Sequence, residues 1–118
     1  MRYASWIVAA AAVALVACSD STGSSGGGAG SATTITVGND FFSPTPNTVS
    51  AGTVTFAWAT PSNGHTITWD SGPGTLPANT GTITSGTRVV TLQQGTYQYH
   101  CSLHGGPGTG MRGTIIVQ

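Results

Sequence analysis

The stretch that most constrains the fold is residues 95–118, where a pattern typical of a β-strand runs into a potential metal-binding segment. Tyr97, Tyr99 and Cys101 occupy every second position, so a pleated strand presents all three on one face. His104 follows Cys101 after two intervening residues, and a segment rich in Gly and Pro comes next. A strand that ends beside a thiol and an imidazole indicates a β-protein with its chemistry at one end.

Two further side chains complete a potential set of copper ligands. Met111 precedes the β-branched run of residues 114–117, and His65 lies upstream in an Asn-Gly-His segment. Two imidazoles, one thiolate and one weak thioether form the donor set that suits copper in electron-transfer sites. A histidine on an apolar strand face is more often a core residue than a ligand. The assignment of His65 therefore depends on its combination with Cys101 and His104.

These residues resemble the copper loop of the cupredoxins, in particular the plastocyanin and pseudoazurin branch. In that family a Cys-x-x-His pair ends one strand and a Gly-Met-x-Gly segment begins the last one, a form that residues 110–113 share. The similarity extends through residues 41–44, 51–54 and 64–67 and covers nearly all of residues 33–118. It implies an all-β, Greek-key sandwich with one type 1 copper ion. The implied metal ligands are His65, Cys101, His104 and Met111.

Three positions depart from the family's pattern. Six residues separate His104 from Met111, where plastocyanin-type proteins usually have four, so the additional residues either loop out or lengthen the bond to the thioether. Thr66 replaces the Asn that commonly follows the first histidine; its backbone N–H remains available to the sulfur, and its hydroxyl can take over the bracing role. His100 replaces an exposed tyrosine. Strand alternation turns it away from Cys101, and we predict a surface histidine.

The composition excludes several classes of function. The chain has 118 residues, enough for one domain, and only 5% of them are charged, three arginines against three aspartates. Nucleic-acid binding requires a basic surface, which this sequence lacks. Catalysis by paired carboxylates has almost no candidate residues. Oxidases and nitrite reductases need histidines for further copper centres, so we expect no enzymatic activity from this chain.

The pattern of residues 33–118 is that of seven or eight short strands separated by turns. Residues 41–46 are expected to be extended chain that crosses between sheets. Strands are predicted over residues 33–37, 48–50, 54–58, 65–69, 80–84 and 87–92, over the strand leading to the cysteine, and over residues 114–117. The predicted core comprises Val54, Phe56, Trp58, Ile67, Trp69, Val90, Leu92, Tyr97, Tyr99, Ile115 and Val117.

The first part of the chain has the composition of an export signal followed by a tether. Residues 1–18 contain an apolar run that is shorter than the roughly 20 residues needed to span a bilayer, as is typical of a signal peptide. The run ends in Leu-Val-Ala-Cys, which resembles the lipobox of bacterial lipoproteins and implies lipidation of Cys18. An ordinary signal peptide is the alternative. Residues 19–32 are mostly Gly, Ser, Ala and Thr, typical of a flexible linker to the domain at residues 33–118.

These observations predict a monomeric type 1 copper protein that carries one electron at a time in the bacterial cell envelope. Its location would be periplasmic, with a lipid anchor at Cys18, and Ser19 favours the outer membrane. Unidentified redox proteins are expected to dock near His104, whose neighbours in sequence are uncharged; no nucleic-acid partner is expected. The alternative is an envelope protein that stores or delivers copper without transferring electrons.

Overall fold

The computed structural model describes residues 30–50 and 52–118, which form two four-stranded sheets packed face to face. One sheet has the strand order β2-β1-β4-β6 and the other β3-β8-β7-β5. In chain order the strands are β1 (Thr34–Gly38), β2 (Phe41–Ser43), β3 (Asn47–Val49), β4 (Gly52–Trp58), β5 (Thr68–Ser71), β6 (Gly86–Leu92), β7 (Gly95–Gly106) and β8 (Thr109–Val117). The predicted all-β class and number of strands are confirmed. Among the described residues, no helix is long and apolar enough to cross a membrane.

The order of the strands is that of a sandwich whose chain changes sheets repeatedly. Only β1–β2 and β7–β8 are hairpins within one sheet, and every other connection passes between the sheets. β1 pairs in parallel with β4, and β3 with β8. Parallel neighbours cannot be joined by a tight turn, and in both pairs the chain passes through the other sheet between the two strands. The β7–β8 hairpin contains the predicted cysteine and methionine, and it is the central pair of its sheet.

The core lies between the sheets and is dominated by aromatic rings. In β4, Val54, Phe56 and Trp58 are buried and alternate with more exposed residues. Tyr99 of the other sheet meets Phe42 and Phe56 edge to face, with ring centroids 4.8 and 5.2 Å apart. Burial of each large apolar side chain contributes about 1.5–3 kcal/mol. The rings therefore fix the two sheets against each other close to the strand that bears Cys101.

The structure differs from the sequence prediction at the edges of the fold. Residues 41–43, expected as a crossing segment, form the edge strand β2 beside β1. Val90, expected in the core, is only partly buried. Residues 30–32, assigned to the tether, lie against β3, because the Asn47 side chain exchanges hydrogen bonds with the backbone of Ala32. The predicted signal peptide and residues 19–29 of the tether lie outside the described residues.

Residues 80–84 form no strand, although their alternation predicts one. They make only a single bridge, between Ile83 and His65. The side-chain oxygens of Thr80 and Asn79 accept hydrogen bonds from backbone N–H groups that a ladder would use. Such side-chain hydrogen bonds compete with strand pairing, and β5 consequently begins later than predicted.

The segment between His104 and Met111, predicted as a loop, is the tip of a β-hairpin. β7 and β8 continue almost to its end, where Gly105 pairs with Gly110 and residues 107–108 form the turn. The ladder is irregular only in the part of β7 that contains the cysteine and the histidine. The residues beyond the family's usual number therefore lengthen a hairpin and do not form a loose loop.

The packing of Tyr99 on β8 gives a test of the fold. Gly113 lies opposite Tyr99 in the ladder, and a side chain there would overlap the tyrosine ring. Because Gly113→Ala displaces a buried ring, we expect the free energy of unfolding to fall by about 1–3 kcal/mol in chemical denaturation. Gly81→Ala, whose added carbon meets nothing within 4 Å, is the matched control and should change stability by less than about 0.5 kcal/mol. Equal stability of the two variants would contradict this packing.

Candidate metal centre

Three of the four predicted ligands meet at one end of the sandwich. His65 lies in the segment before β5, while Cys101 and His104 belong to β7. Cys101 Sγ is 3.8 Å from His65 Nδ1 and 3.6 Å from His104 Nδ1. The two Nδ1 atoms are 3.0 Å apart. Residues separated by up to 39 positions in sequence thus bring one sulfur and two nitrogens to a common point.

The distances and the chemistry of these donors fit one metal ion. With bonds of about 2.0 Å to nitrogen and 2.3 Å to sulfur, donors around a shared ion lie roughly 3–4 Å apart. A thiolate with two imidazoles is a set that suits copper. The two Nδ1 atoms lie within hydrogen-bond distance of each other, and a cation bound between them in their deprotonated forms would be held by both lone pairs. The described residues therefore fit the copper ion that the sequence predicts.

The three donors differ in their access to solvent. Cys101 and His65 are fully buried, each 0% exposed. The His104 side chain is 31% exposed and lies at the end of the sandwich. A metal held by these residues would be shielded from water, and one imidazole would connect it to the surface.

Met111 lies at the same end of the fold and is 2% exposed. Its backbone packs against Gly105, the residue after His104, so closely that a side chain on Gly105 would meet the Met111 nitrogen at 2.6 Å. The hairpin thus places the methionine beside the histidine of the opposite strand.

Thr66 braces the two ligand-bearing segments, as its position after His65 predicts. Its backbone N–H donates to Cys101 Sγ at 3.4 Å. Its hydroxyl accepts the Ser102 N–H at 2.8 Å and lies 3.0 Å from the Ser102 hydroxyl. Thr66, which follows His65, is thus joined through its hydroxyl to Ser102, which follows Cys101. This is the bracing role that the sequence predicts for the hydroxyl.

The surroundings favour the metal-binding form of the thiol. Burial alone would raise the pKa of Cys101, but hydrogen bonds from the backbone N–H groups of Thr66, Leu103 and His104 and from the His104 ring outweigh it, so that the pKa is lowered. The thiolate is the form that binds metals. These donors are therefore arranged to stabilise a negative sulfur.

The surroundings also favour the neutral form of His65. Burial lowers its pKa because it disfavours the charged ring, and the positive charge of His104 acts in the same direction, against a smaller opposite effect of Asp40. A neutral imidazole has the free lone pair that a metal requires. Both buried donors thus favour their metal-binding protonation states.

Two residues that were not expected from the sequence approach the outer nitrogens of the histidines. Asn39 Oδ1 lies 3.0 Å from His65 Nε2, and Asp40 Oδ1 lies 4.0 Å from His104 Nε2. Both belong to the β1–β2 turn, on the other sheet, and the sequence indicates only a bend there. Because the first contact joins residues 26 positions apart, no local pattern could have revealed it.

The prediction of a surface histidine at position 100 is wrong. His100 is 8% exposed, and its Nδ1 lies 2.7 and 2.9 Å from the two carboxylate oxygens of Asp70. Strand pairing is irregular between Trp69 and Ser71 in β5, and Asp70 lies at this irregularity. His100 lies outside the cluster of donors, as strand alternation predicts.

Comparison with known proteins finds similar solved structures and no match by sequence. No protein-family model matches the chain, and no curated protein matches it. The structure is similar to plastocyanin from Dryopteris crassirhizoma, with 24% identity, a TM-score of 0.56, and coverage of 72% of this chain and 99% of that one. A mutant of amicyanin in its reduced Cu(I) form has 25% identity and a TM-score of 0.54, over 72% of this chain and 80% of that one.

A larger protein contains a similar domain. The copper-containing nitrite reductase of Thermus scotoductus SA-01 has 24% identity and a TM-score of 0.60 over 72% of this chain. The similarity covers 22% of the reductase, so this chain spans about a fifth of that protein.

These findings define the class of the described domain. It is an eight-stranded β-sandwich with a buried sulfur and two nitrogens that suit a single copper ion. Its fold is that of the cupredoxins, and its two histidines, cysteine and nearby methionine are the residues typical of a type 1 copper site.

Acidification tests the protonation states of the buried donors. The unfolded chain takes up a proton at His65 near the ordinary pKa of 6.5, whereas the folded protein, with its lowered pKa, does so only at lower pH. The lowered pKa of Cys101 acts in the same direction at higher pH, so stability is lost as the pH falls. We expect the Tm of the copper-free protein to fall between about pH 7.5 and pH 5. His65→Gln should reduce this fall, and a Tm that is constant or rises on acidification would contradict the account.

Proposed function

We propose that this protein carries single electrons in the bacterial cell envelope by means of one type 1 copper ion. The observation that supports this function is the convergence of three donors from His65, Cys101 and His104, of which only His104 reaches the surface. Two buried donors would retain the metal, and the third would connect it to a partner. This arrangement suits a resident ion that exchanges electrons and is not itself released.

The chain's own residues would determine how the site works. Cys101, His65 and His104 would hold the copper, and Met111 would be the weak fourth ligand. Bound copper supplies one-electron chemistry, alternating between Cu(II) and Cu(I). Thr66 holds the sulfur through its N–H, and the surrounding core excludes water. Because the donors are fixed by these contacts, little rearrangement would accompany each transfer.

The surface around His104 would be the docking site for a redox partner. Leu103 beside it is 54% exposed, and the hairpin tip beyond it consists of uncharged residues. Small contact areas suit redox encounters that must separate quickly. The surface around His104 carries one charged side chain, Asp40, which is 73% exposed. With a net charge of zero for the whole chain, long-range steering is expected to be weak.

The number of histidines available to bind copper favours an electron carrier over an enzyme. The described residues contain three histidines, and His100 is paired with Asp70, which leaves no imidazole for a second copper centre. One structural neighbour is a nitrite reductase, but this chain spans only 22% of it. The plastocyanin and amicyanin structures are named as oxidised and reduced Cu(I) forms, which is consistent with a redox-cycling domain.

We place the protein in the cell envelope on the basis of its first residues. The apolar run and the lipobox-like ending at Cys18 support export and lipid attachment, with the Gly- and Ser-rich residues 19–29 between the anchor and the domain. A monomer attached in this way would meet redox partners near the membrane, with its His104 surface available for docking.

The visible spectrum of the purified protein tests the proposed function. After addition of Cu(II), we expect an intense visible band, because a thiolate bound to copper absorbs strongly, and ascorbate should bleach it reversibly. Cys101→Ala should abolish the band. His100→Gln is the matched control, since His100 lies outside the donor cluster, and it should retain the band.

Two results would overturn this function. Absence of the band in the wild-type protein would exclude a thiolate-bound Cu(II). Tight copper binding without reversible bleaching would favour the alternative, an envelope protein for copper storage or delivery.

A further inference from the structure

The side-chain oxygen of Asn39 determines which nitrogen of His65 carries the proton. Asn39 Oδ1 lies 3.0 Å from His65 Nε2 and also accepts the backbone N–H of Asn63 at 3.1 Å. The backbone N–H can only donate, so it requires the oxygen and not the amide nitrogen on this side of Asn39. A carbonyl oxygen can only accept, so His65 Nε2 must carry a proton. Nδ1, which faces Cys101 and His104, is then left with a free lone pair.

Hydrogen bonds to other residues hold the backbone of His65, whereas Asn39 contacts the outer nitrogen of its ring. The His65 N–H and C=O both bond to the backbone of Ile83, at 3.0 Å each. The indole N–H of Trp58 also donates to the His65 carbonyl at 3.3 Å. The ring itself is fully buried, and its outer nitrogen has Asn39 as its partner. Asn39 is therefore the side chain that holds the outer edge of the ring, while Nδ1 on its inner edge faces Cys101 and His104.

Packing of the neighbouring residues holds the turn that contains Asn39 against the core. It lies in a two-residue turn between Gly38 and Phe41, which pair across the β1–β2 hairpin. The ring of Phe41 lies over Gly38 so closely that a side chain on the glycine would overlap it. The next residue, Phe42, packs against Tyr99 in the core, with ring centroids 4.8 Å apart. The turn is thus tied to the core at its base.

We propose that Asn39 is a positioning residue of the copper site: by holding the Nε2–H of His65, it presents Nδ1 to the metal and so sets copper affinity and reduction potential. This inference rests on the proposed copper function. Partners of this kind fix the ring orientation and the basicity of a ligand histidine, and their loss typically lowers metal affinity 10–100-fold. The residue comes from the sheet that contributes neither Cys101 nor His104.

The first measurement uses the copper-free protein, so that it does not depend on copper binding. Nitrogen NMR of the imidazole should show His65 in the Nε2–H form in the wild-type protein. Asn39→Ser shortens the side chain so that it no longer reaches His65, but serine is well tolerated in turns, and the hairpin should persist. We expect this variant to show a mixture of the two tautomers. Asn39→Asp keeps the acceptor and should retain the Nε2–H form.

The second measurement uses competition with copper chelators. Asn39→Ser should bind Cu(II) about 10–100-fold more weakly than the wild-type protein and show a shifted visible band. Asn39→Asp, in contrast, should bind Cu(II) with about the affinity of the wild-type protein. Its added negative charge should raise the preference for Cu(II) over Cu(I) about tenfold, which is a lower reduction potential. Asn79→Ala removes a side-chain acceptor that serves the Trp69 N–H, away from the donors, and it should leave both the His65 tautomer and the copper preference unchanged.

The outcomes separate this inference from the proposed function. If Asn39→Ser keeps a single Nε2–H tautomer and wild-type affinity, or if Asn39→Asp leaves the copper preference unchanged, Asn39 is not a positioning residue. If the wild-type protein forms no thiolate–copper band, the proposed function fails, while the tautomers of the copper-free variants still decide whether Asn39 orients His65. A variant that fails to fold is identified by its circular dichroism, and the other variant then decides the question.

Discussion

A thiol and an imidazole are buried side by side at one end of a mostly apolar interior, and the contacts around them satisfy their polar atoms. A buried polar group without a partner costs about 1–3 kcal/mol. Cys101 and His65 are both fully buried, and each has a partner on its outer side: the Thr66 N–H for the sulfur and Asn39 for the ring. Their inner atoms face each other and His104. A metal ion is the partner that satisfies all three inner donors at once, so copper binding and the stability of this end of the fold are linked.

The two sheets make different contributions to the site. The β7–β8 hairpin supplies Cys101, His104 and the adjacent Met111, while the other sheet supplies the β1–β2 turn that contacts both imidazoles from outside. Edge-to-face packing of Phe42 on Tyr99 joins the turn and the ligand strand through the core. This division explains why a small domain can hold a metal precisely without many charged residues. Packing positions the donors, burial favours the neutral form of His65, and hydrogen bonds favour the thiolate of Cys101.

The sequence could predict those parts of the site that local patterns determine. Alternation in the strand predicted that Cys101 faces inward, and short spacing predicted that His104 lies near it. The full donor set, with His65 and Met111, was implied by the resemblance to the cupredoxin copper loop. Features that depend on pairing across the sandwich could not be predicted in this way. The burial of His100 depends on Asp70 at an irregularity in β5, and the role of Asn39 depends on a contact with a residue 26 positions away. Residues 80–84 form no strand for a similar reason. The side-chain oxygens of Asn79 and Thr80 accept backbone hydrogen bonds that the alternation assigns to strand pairing.

A pair of crystal structures of the protein, copper-free and copper-loaded, would show whether the fold forms the site before the metal arrives. We expect copper to lie between Cys101 Sγ and the Nδ1 atoms of His65 and His104, and these side chains to have the same rotamers in both structures. The contacts of Thr66 with the sulfur and of Asn39 with His65 should also be unchanged. Copper bound elsewhere, or rings that rotate by a large angle to reach it, would contradict the claim that the fold forms the site before the metal arrives.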